Sequence, residues 1–212
     1  MTNATEKPKA SLPKRILTVA LGIAAVIGVL FIALIAFKPY AFHGAVLQSP
    51  KPAQDFTLIN HYGQETKLSD YQGKVVLLYF GYAACPDVCP ATLAEVKQAT
   101  DILKEQGRDD EMQFLMITVD PERDTAERIA EFLAHFDLSF IGLIGSEEEV
   151  AQIATQYGIF YQKQESSSAM GYLVDHTATV MLVDPDGYSR LIFPYGAQGE
   201  DIAEDIIYIL DH

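Results

Sequence analysis

Residues 16–37 of this 212-residue chain, ILTVALGIAAVIGVLFIALIAF, contain no charged side chain, and Arg15 and Lys38 close the run at its two ends. As a helix rising about 1.5 Å per residue, the run would reach roughly 33 Å, the thickness of a bilayer core. A cleaved signal peptide has a shorter apolar region, about 7–15 residues, ending in a small-x-small site. Leu34-Ile35-Ala36 and Pro39-Tyr40-Ala41 make poor sites of that kind. The run is therefore expected to be an uncleaved transmembrane anchor.

Charge gives the anchor a direction. Residues 1–15 carry Lys7, Lys9, Lys14 and Arg15 against Glu6 alone, whereas residues 39–212 carry ten basic and 28 acidic side chains, net −18. Basic flanks stay cytoplasmic, so residues 1–15 are expected as a cytoplasmic tail and the acidic part on the far side. A tail with one arginine and few serines does not resemble a mitochondrial transit peptide. No cysteine follows the apolar run closely enough for a lipoprotein anchor. The expected home is a bacterial inner (cytoplasmic) membrane, single-pass, with the C-terminal domain in the periplasm. An acidic surface also argues against binding nucleic acid non-specifically, which requires cations that displace counterions. Two cysteines in an oxidising compartment form a disulfide, a redox pair or a metal site.

Residues 38–52 contain three prolines and no helical or strand period, and read as a tether. Residues 53–212 read as one α/β domain. Phe56–Ile59 and the segment after Tyr62-Gly63 suggest a hairpin, and Lys74–Phe80 a buried strand between Gly73 and Gly81. Leu93, Val96, Thr100 and Leu103 mark a helix stopped by Gly107. Phe114–Val119 suggests a second buried strand. Asp124 with Glu127, and Ser146 with Glu149, suggest capping boxes for two further helices, the second ending near Gly158. Thr179–Val183 and Ser189–Phe193 flank the turn Asp184-Pro185-Asp186-Gly187, and Ile202, Ile206, Ile209 and Leu210 mark a final amphipathic helix. Alternating βαβ followed by an antiparallel pair implies a mixed sheet with helices on both faces. In such sheets the ligand site lies at the carboxyl ends of the central strands, and both cysteines follow the first of these.

Cys85-Pro86-Asp87-Val88-Cys89-Pro90 is the chemistry-bearing segment. Pro86 and Pro90 suit a turn leading into a helix, and a helix N-terminus favours thiolate. A purely structural disulfide closing so short a loop would contribute only on the order of 2 kcal/mol. Cys-x3-Cys is wider than the thioredoxin-type dithiol and still chelates. Two thiolates suit Cu(I), and one added imidazole also suits Cu(II). Of the five histidines, His43 lies in the tether and His212 is terminal, both expected solvated. His61 falls in a hairpin turn, and His135 is expected to cap the carbonyls of its helix. His176, in Val174-Asp175-His176-Thr177 before a buried strand, is either a ligand facing the cysteines or a loop histidine bonded to Asp175.

Three separated motifs now resemble one family. Gly81-Tyr82 leading into C-P-D-V-C-P, Thr118-Val119-Asp120-Pro121-Glu122-Arg123-Asp124-Thr125, and Val174-Asp175-His176-Thr177 followed by Leu182–Gly187 are similar to the Sco/SenC family of membrane-anchored, thioredoxin-like copper proteins. The resemblance implies that Cys85, Cys89 and His176 are the copper ligands. It implies a metallochaperone rather than an enzyme, delivering copper to the CuA site of cytochrome c oxidase or preparing that site. Its partners would be the CuA-bearing subunit and other copper carriers or thiol-disulfide proteins. Ala83-Ala84 depart from the family's usual Thr and larger residue. Residues 163–171 suggest a mobile loop able to carry His176, and Asp120 and Asp175 suggest groups that orient a ligand, Asp120 alternatively capping the turn at Pro121. The alternative function is a thiol-disulfide oxidoreductase in which Cys85 attacks and Cys89 resolves. A peroxiredoxin pattern fails, because Leu78 and Tyr82 stand where it needs proline and threonine.

Overall fold

The computed structural model describes residues 14–36, 39–165 and 171–212, which fall into two compact units, residues 1–41 and 42–212. In the first unit, Lys14–Ala36 forms helix α1, whose described apolar side chains are exposed, Phe31 at 64%. Among the described residues no helix is long and apolar enough to cross a membrane. The tail 1–13 and residues 37–38 lie outside the described residues.

The second unit is built on an eight-stranded mixed sheet. In chain order its strands are β1 (Ala45–Val46), β2 (Thr57–Asn60), β3 (Glu65–Lys67), β4 (Val75–Gly81), β5 (Met112–Thr118) and β6 (Ile141–Ile144). A separate hairpin of β7 (Tyr161–Glu165) and β8 (Tyr172–His176) precedes the last two sheet strands, β9 (Thr179–Val183) and β10 (Ser189–Pro194). Helices α2 (Val88–Glu105), α3 (Ala126–Ala134), α4 (Glu147–Gln156) and α5 (Gly199–Asp211) flank the sheet. Its order is β1-β10-β9-β4-β5-β6-β2-β3, with β4, β5 and β6 parallel and the other pairs antiparallel. Every residue of β4 is buried, the pattern of a strand covered on both faces.

Sequence and structure agree on the central strands, on both outer hairpins and on α2, whose Leu93, Val96, Thr100 and Leu103 are all buried. Gly107 and Gly158 follow their helices at φ +69° and +68°, where only glycine is unstrained. Four expectations need correction. The expected order has no strand between α3 and α4, but β6 lies there, four residues long and interrupted by Gly142, where a Cβ would collide with Ile129 of α3. The box expected from Asp124 is absent, since Thr125 caps α3 by accepting from the Arg128 amide while Asp124 points inward. Ser146 and Glu149 do form their box. The tether expected over 38–52 is partly docked: Ala45–Val46 pairs with β10, Pro52 bridges to Tyr188, and buried Asp205 accepts from the amides of His43 and Gly44. Finally, residues 163–165, expected within a mobile loop, are paired in β7, and residues 166–170 lie outside the described residues.

One register places the chemistry. Because β9 runs antiparallel to β4 with Val180 opposite Tyr79, the chain entering β9 starts beside the end of β4. His176, at the end of β8, thereby arrives next to the turn that follows β4.

Candidate metal centre

Cys85 follows the end of β4, in a turn where its amide donates to the Tyr82 carbonyl at 3.2 Å. A second tie comes from buried Asp124, which accepts from the Ala83 amide at 3.0 Å and the Thr118 hydroxyl at 2.6 Å. Cys89 is the second residue of α2 and Pro90 the third, where a missing amide costs nothing because first-turn amides lack intrahelical partners. Asp87, at the cap position, makes no side-chain cap. The Cys85 sulfur supplies that acceptor instead, taking the Cys89 amide at 3.3 Å.

His176 completes the arrangement. Its Nε2 lies 3.4 Å from the Cys89 sulfur, and its Nδ1 lies 3.4 Å from the Thr177 carbonyl, which can only accept. With the proton on Nδ1 the Nε2 lone pair faces the sulfurs, the tautomer a metal requires; with the proton on Nε2 the ring donates to a sulfur instead. The edges of Tyr79 and Tyr82 close on the imidazole, each with ring centroids 5.9 Å away. One atom from each of Cys85, Cys89 and His176 lies within 4.8 Å of the others. The two cysteines are unlinked, Cys85 half-buried and Cys89 buried. A cleft of about 360 Å³ opens over Cys85 and His176 between Pro86, Asp87 and Leu173.

The environment separates the two thiols. The Cys85 thiol is pushed down to about 4, first by the Cys89 S–H donated to it, then by His176 and the Asp87 and Cys89 amides, against its burial. Burial pushes the Cys89 thiol up, and the neighbouring Cys85 charge adds to that. The pair therefore holds one proton, with the charge on the more accessible sulfur. Burial likewise holds Tyr82 up at about 12. The Tyr79 hydroxyl is buried beside Cys89 with no hydrogen bond of good geometry. Two soft sulfurs and one imidazole form a donor set suited to copper.

The other histidines lie elsewhere. His43, expected solvated in the tether, pairs with Asp201 and Glu204 of α5. His61 accepts from the Gly142 amide, while His135 and His212 face carbonyls of their own helices. Asp175 is exposed on β8, and the imidazole Nδ1 of His176 faces the Thr177 carbonyl rather than Asp175. Asp120 does accept the turn amides of Arg123 and Asp124 at its carbonyl, as the capping alternative expects. Its side chain, fully buried, reaches Arg123 and the Tyr172 hydroxyl. Arg123, Asp124 and Tyr82 were readable as parts of motifs, though not in the contacts they make here; Tyr172 left no local signal.

The chain is 36% identical over 151 residues to the human mitochondrial SCO1 homolog, covering 71% of this chain and 50% of the relative. It spans only part of the length of the curated relatives it matches, 61% for the bovine SCO2 homolog and 39% for Arabidopsis SCO1 homolog 1. The solution structure of apo Sco1 from Thermus thermophilus superposes with TM-score 0.70 at 38% identity, covering 80% of this chain and 97% of that one. Arabidopsis thaliana ScoI with copper bound gives TM-score 0.70 at 30% identity, over 76% and 99%. The thioredoxin domain of a Bacteroides vulgatus thiol-disulfide oxidoreductase, 18% identical, shares the fold at TM-score 0.54 over 77% and 99%, so the domain is thioredoxin-like. The SCO1/SenC sequence model matches residues 45–211, and with these relatives it establishes that the chain belongs to the SCO1/SenC family.

Proposed function

We propose that this chain is a membrane-anchored metallochaperone that binds copper through Cys85, Cys89 and His176 and passes it to the CuA site of cytochrome c oxidase. The observation that carries this reading is the convergence of two sulfurs and an imidazole nitrogen within 4.8 Å, beside an open cleft. The cysteine thiolates hold Cu(I), and Nε2 of His176 supplies the third donor. A site with three protein donors leaves room for a ligand of the acceptor to enter before one of its own leaves, so copper moves by exchange without becoming free. Copper is cargo here. The family's work, as the motifs imply it, supplies the CuA-bearing subunit as recipient and other copper carriers as donors. Copper bound to the Arabidopsis relative supports the metal.

The uncharged run 16–37 of the sequence supports an anchor, since its length matches a bilayer core. With basic residues 1–15 held in the cytoplasm, the acidic domain faces the periplasm of a bacterial inner membrane.

A second reading, a thiol-disulfide oxidoreductase, draws on the accessible, depressed Cys85 thiol beside buried Cys89. The Cys85 thiolate would attack a partner disulfide, forming a mixed disulfide and releasing one partner thiolate. Cys89, giving up its proton, would then attack the Cys85 sulfur, releasing the second partner thiol and passing two electrons to the partner.

Anaerobic copper titration of the reduced full-length chain decides between them. The chaperone reading expects one tightly bound equivalent, and with Cu(II) a thiolate charge-transfer band abolished by Cys85→Ser and altered by His176→Ala. A reduced chain that holds no copper tightly and yet exchanges disulfides readily would install the second reading.

A further inference from the structure

The strand bearing His176 does not belong to the main sheet. Among the described residues β7 and β8 pair only with each other, four of the five β7 residues are exposed, and on β8 only Val174 is buried. A two-stranded hairpin is marginal by itself, so a few side-chain ties must fix where His176 stands.

Those ties cluster at the end of β8 away from the metal centre. The Tyr172 hydroxyl donates to Asp120 Oδ1 at 2.6 Å, and Glu122 Oε2 lies 3.1 Å from the same hydroxyl. Arg123 donates through Nε to the other Asp120 oxygen and through Nη1 to the Tyr172 carbonyl at 2.9 Å. Its guanidinium lies over the Tyr172 ring, 3.7 Å from the centroid. Asp120 is fully buried, and a buried carboxylate requires its cation, so the Asp120–Arg123 pair is fixed in the loop after β5. Midway along β8, the Val174 amide donates to the Tyr82 hydroxyl at 3.2 Å. Side chains two apart on a strand share a face. Tyr172, Val174 and His176 therefore address the domain together, and a slip at Tyr172 displaces the imidazole.

We infer that Asp120, Arg123 and Tyr172 form a latch that positions His176 against Cys85 and Cys89, making Tyr172 a positioning residue for the third metal donor. Tyr172 touches no donor atom; it acts through the rigidity of β8. This rests on the copper reading of the site for its functional consequence, while the latch itself is testable without metal. Lys163, which pairs with Glu122 and Glu147 on the outer side, is exposed and adds little.

The test is Tyr172→Phe in the full-length chain, which keeps the ring under the guanidinium and removes only the hydroxyl. Without copper, amide exchange at Val174, Asp175 and His176 is expected to accelerate while β4 and β5 keep their protection. With Cu(II), release to a competing chelator is expected to quicken on the order of tenfold, the equivalent of one hydrogen bond to a charged group. The charge-transfer band should shift toward that of His176→Ala. Added imidazole should slow release and restore the band in both Tyr172→Phe and His176→Ala, and do neither in Cys85→Ser. Imidazole rescue separates a misplaced ligand from general loosening, which imidazole would not repair. Arg123→Lys retains a cation for Asp120 but loses the stacking and the fork. It is expected to act in the same direction, and it decides the matter should Tyr172→Phe fold poorly. Unchanged β8 exchange in Tyr172→Phe overturns the latch whether or not copper binds. Faster release that imidazole does not slow overturns its positioning role, and a wild-type chain that binds no copper overturns the copper reading alone.

Discussion

At the scale of single residues, the cysteine pair was readable because its logic is local: prolines, a helix start and two sulfurs lie within six positions. His176 was readable only as one of two alternatives until the family motifs were weighed, since its placement depends on the β9–β4 register, in which Val180 lies opposite Tyr79, 101 positions earlier in the chain. Asp124 was misassigned for a related reason. A helix-start pattern marked it, yet its carboxylate serves the Ala83 amide across the fold. That burial raises the Asp124 carboxyl above its ordinary 3.8, against the hydrogen bonds from Thr118 and Ala83. A carboxyl raised on folding binds its proton more tightly in the native state. Its contribution to stability is complete below the ordinary value and is lost as pH rises through the native one. Denaturation of wild type and Asp124→Asn across that window is therefore expected to show the wild type losing stability relative to the variant as pH climbs from about 3.8. A flat or opposite difference would contradict the assignment.

Among the elements, strong patterns were legible and short or solvated ones were not. β4, β5 and α2 carry continuous or periodic apolar residues because they are covered by neighbours. β6 is short and needs Gly142 for α3 to approach, while β7 presents polar residues to solvent and so shows no buried face. The docked start of the domain was hidden because main-chain amides, which carry no sequence signal, make its contacts with Asp205. Asp205→Ala removes the acceptor for the His43 and Gly44 amides. It is expected to cost about 1–3 kcal/mol. Hydrogen exchange should quicken across residues 43–46 and leave β4 and β5 protected. Unchanged protection there would show that the pairing of β1 with β10 suffices without Asp205.

For the whole molecule, the mixed sheet was legible in the alternation of strand and helix patterns, and the thioredoxin-like topology followed from the family motifs. Residues 39–212 carry a net −18, and Asp87 and Asp175 line the cleft. Association with a copper acceptor bearing a basic face is expected to slow as ionic strength rises, chiefly through the on-rate. Stopped-flow docking rates that do not change with salt would contradict it. The most direct measurement of the centre itself is X-ray absorption at the copper edge of the Cu(I)-loaded full-length chain. Two sulfur scatterers and one imidazole nitrogen per copper are expected, the sulfur share falling in Cys85→Ser and the imidazole signature vanishing in His176→Ala. A first shell of nitrogen and oxygen alone, or one that neither substitution alters, would contradict the Cys85, Cys89 and His176 centre.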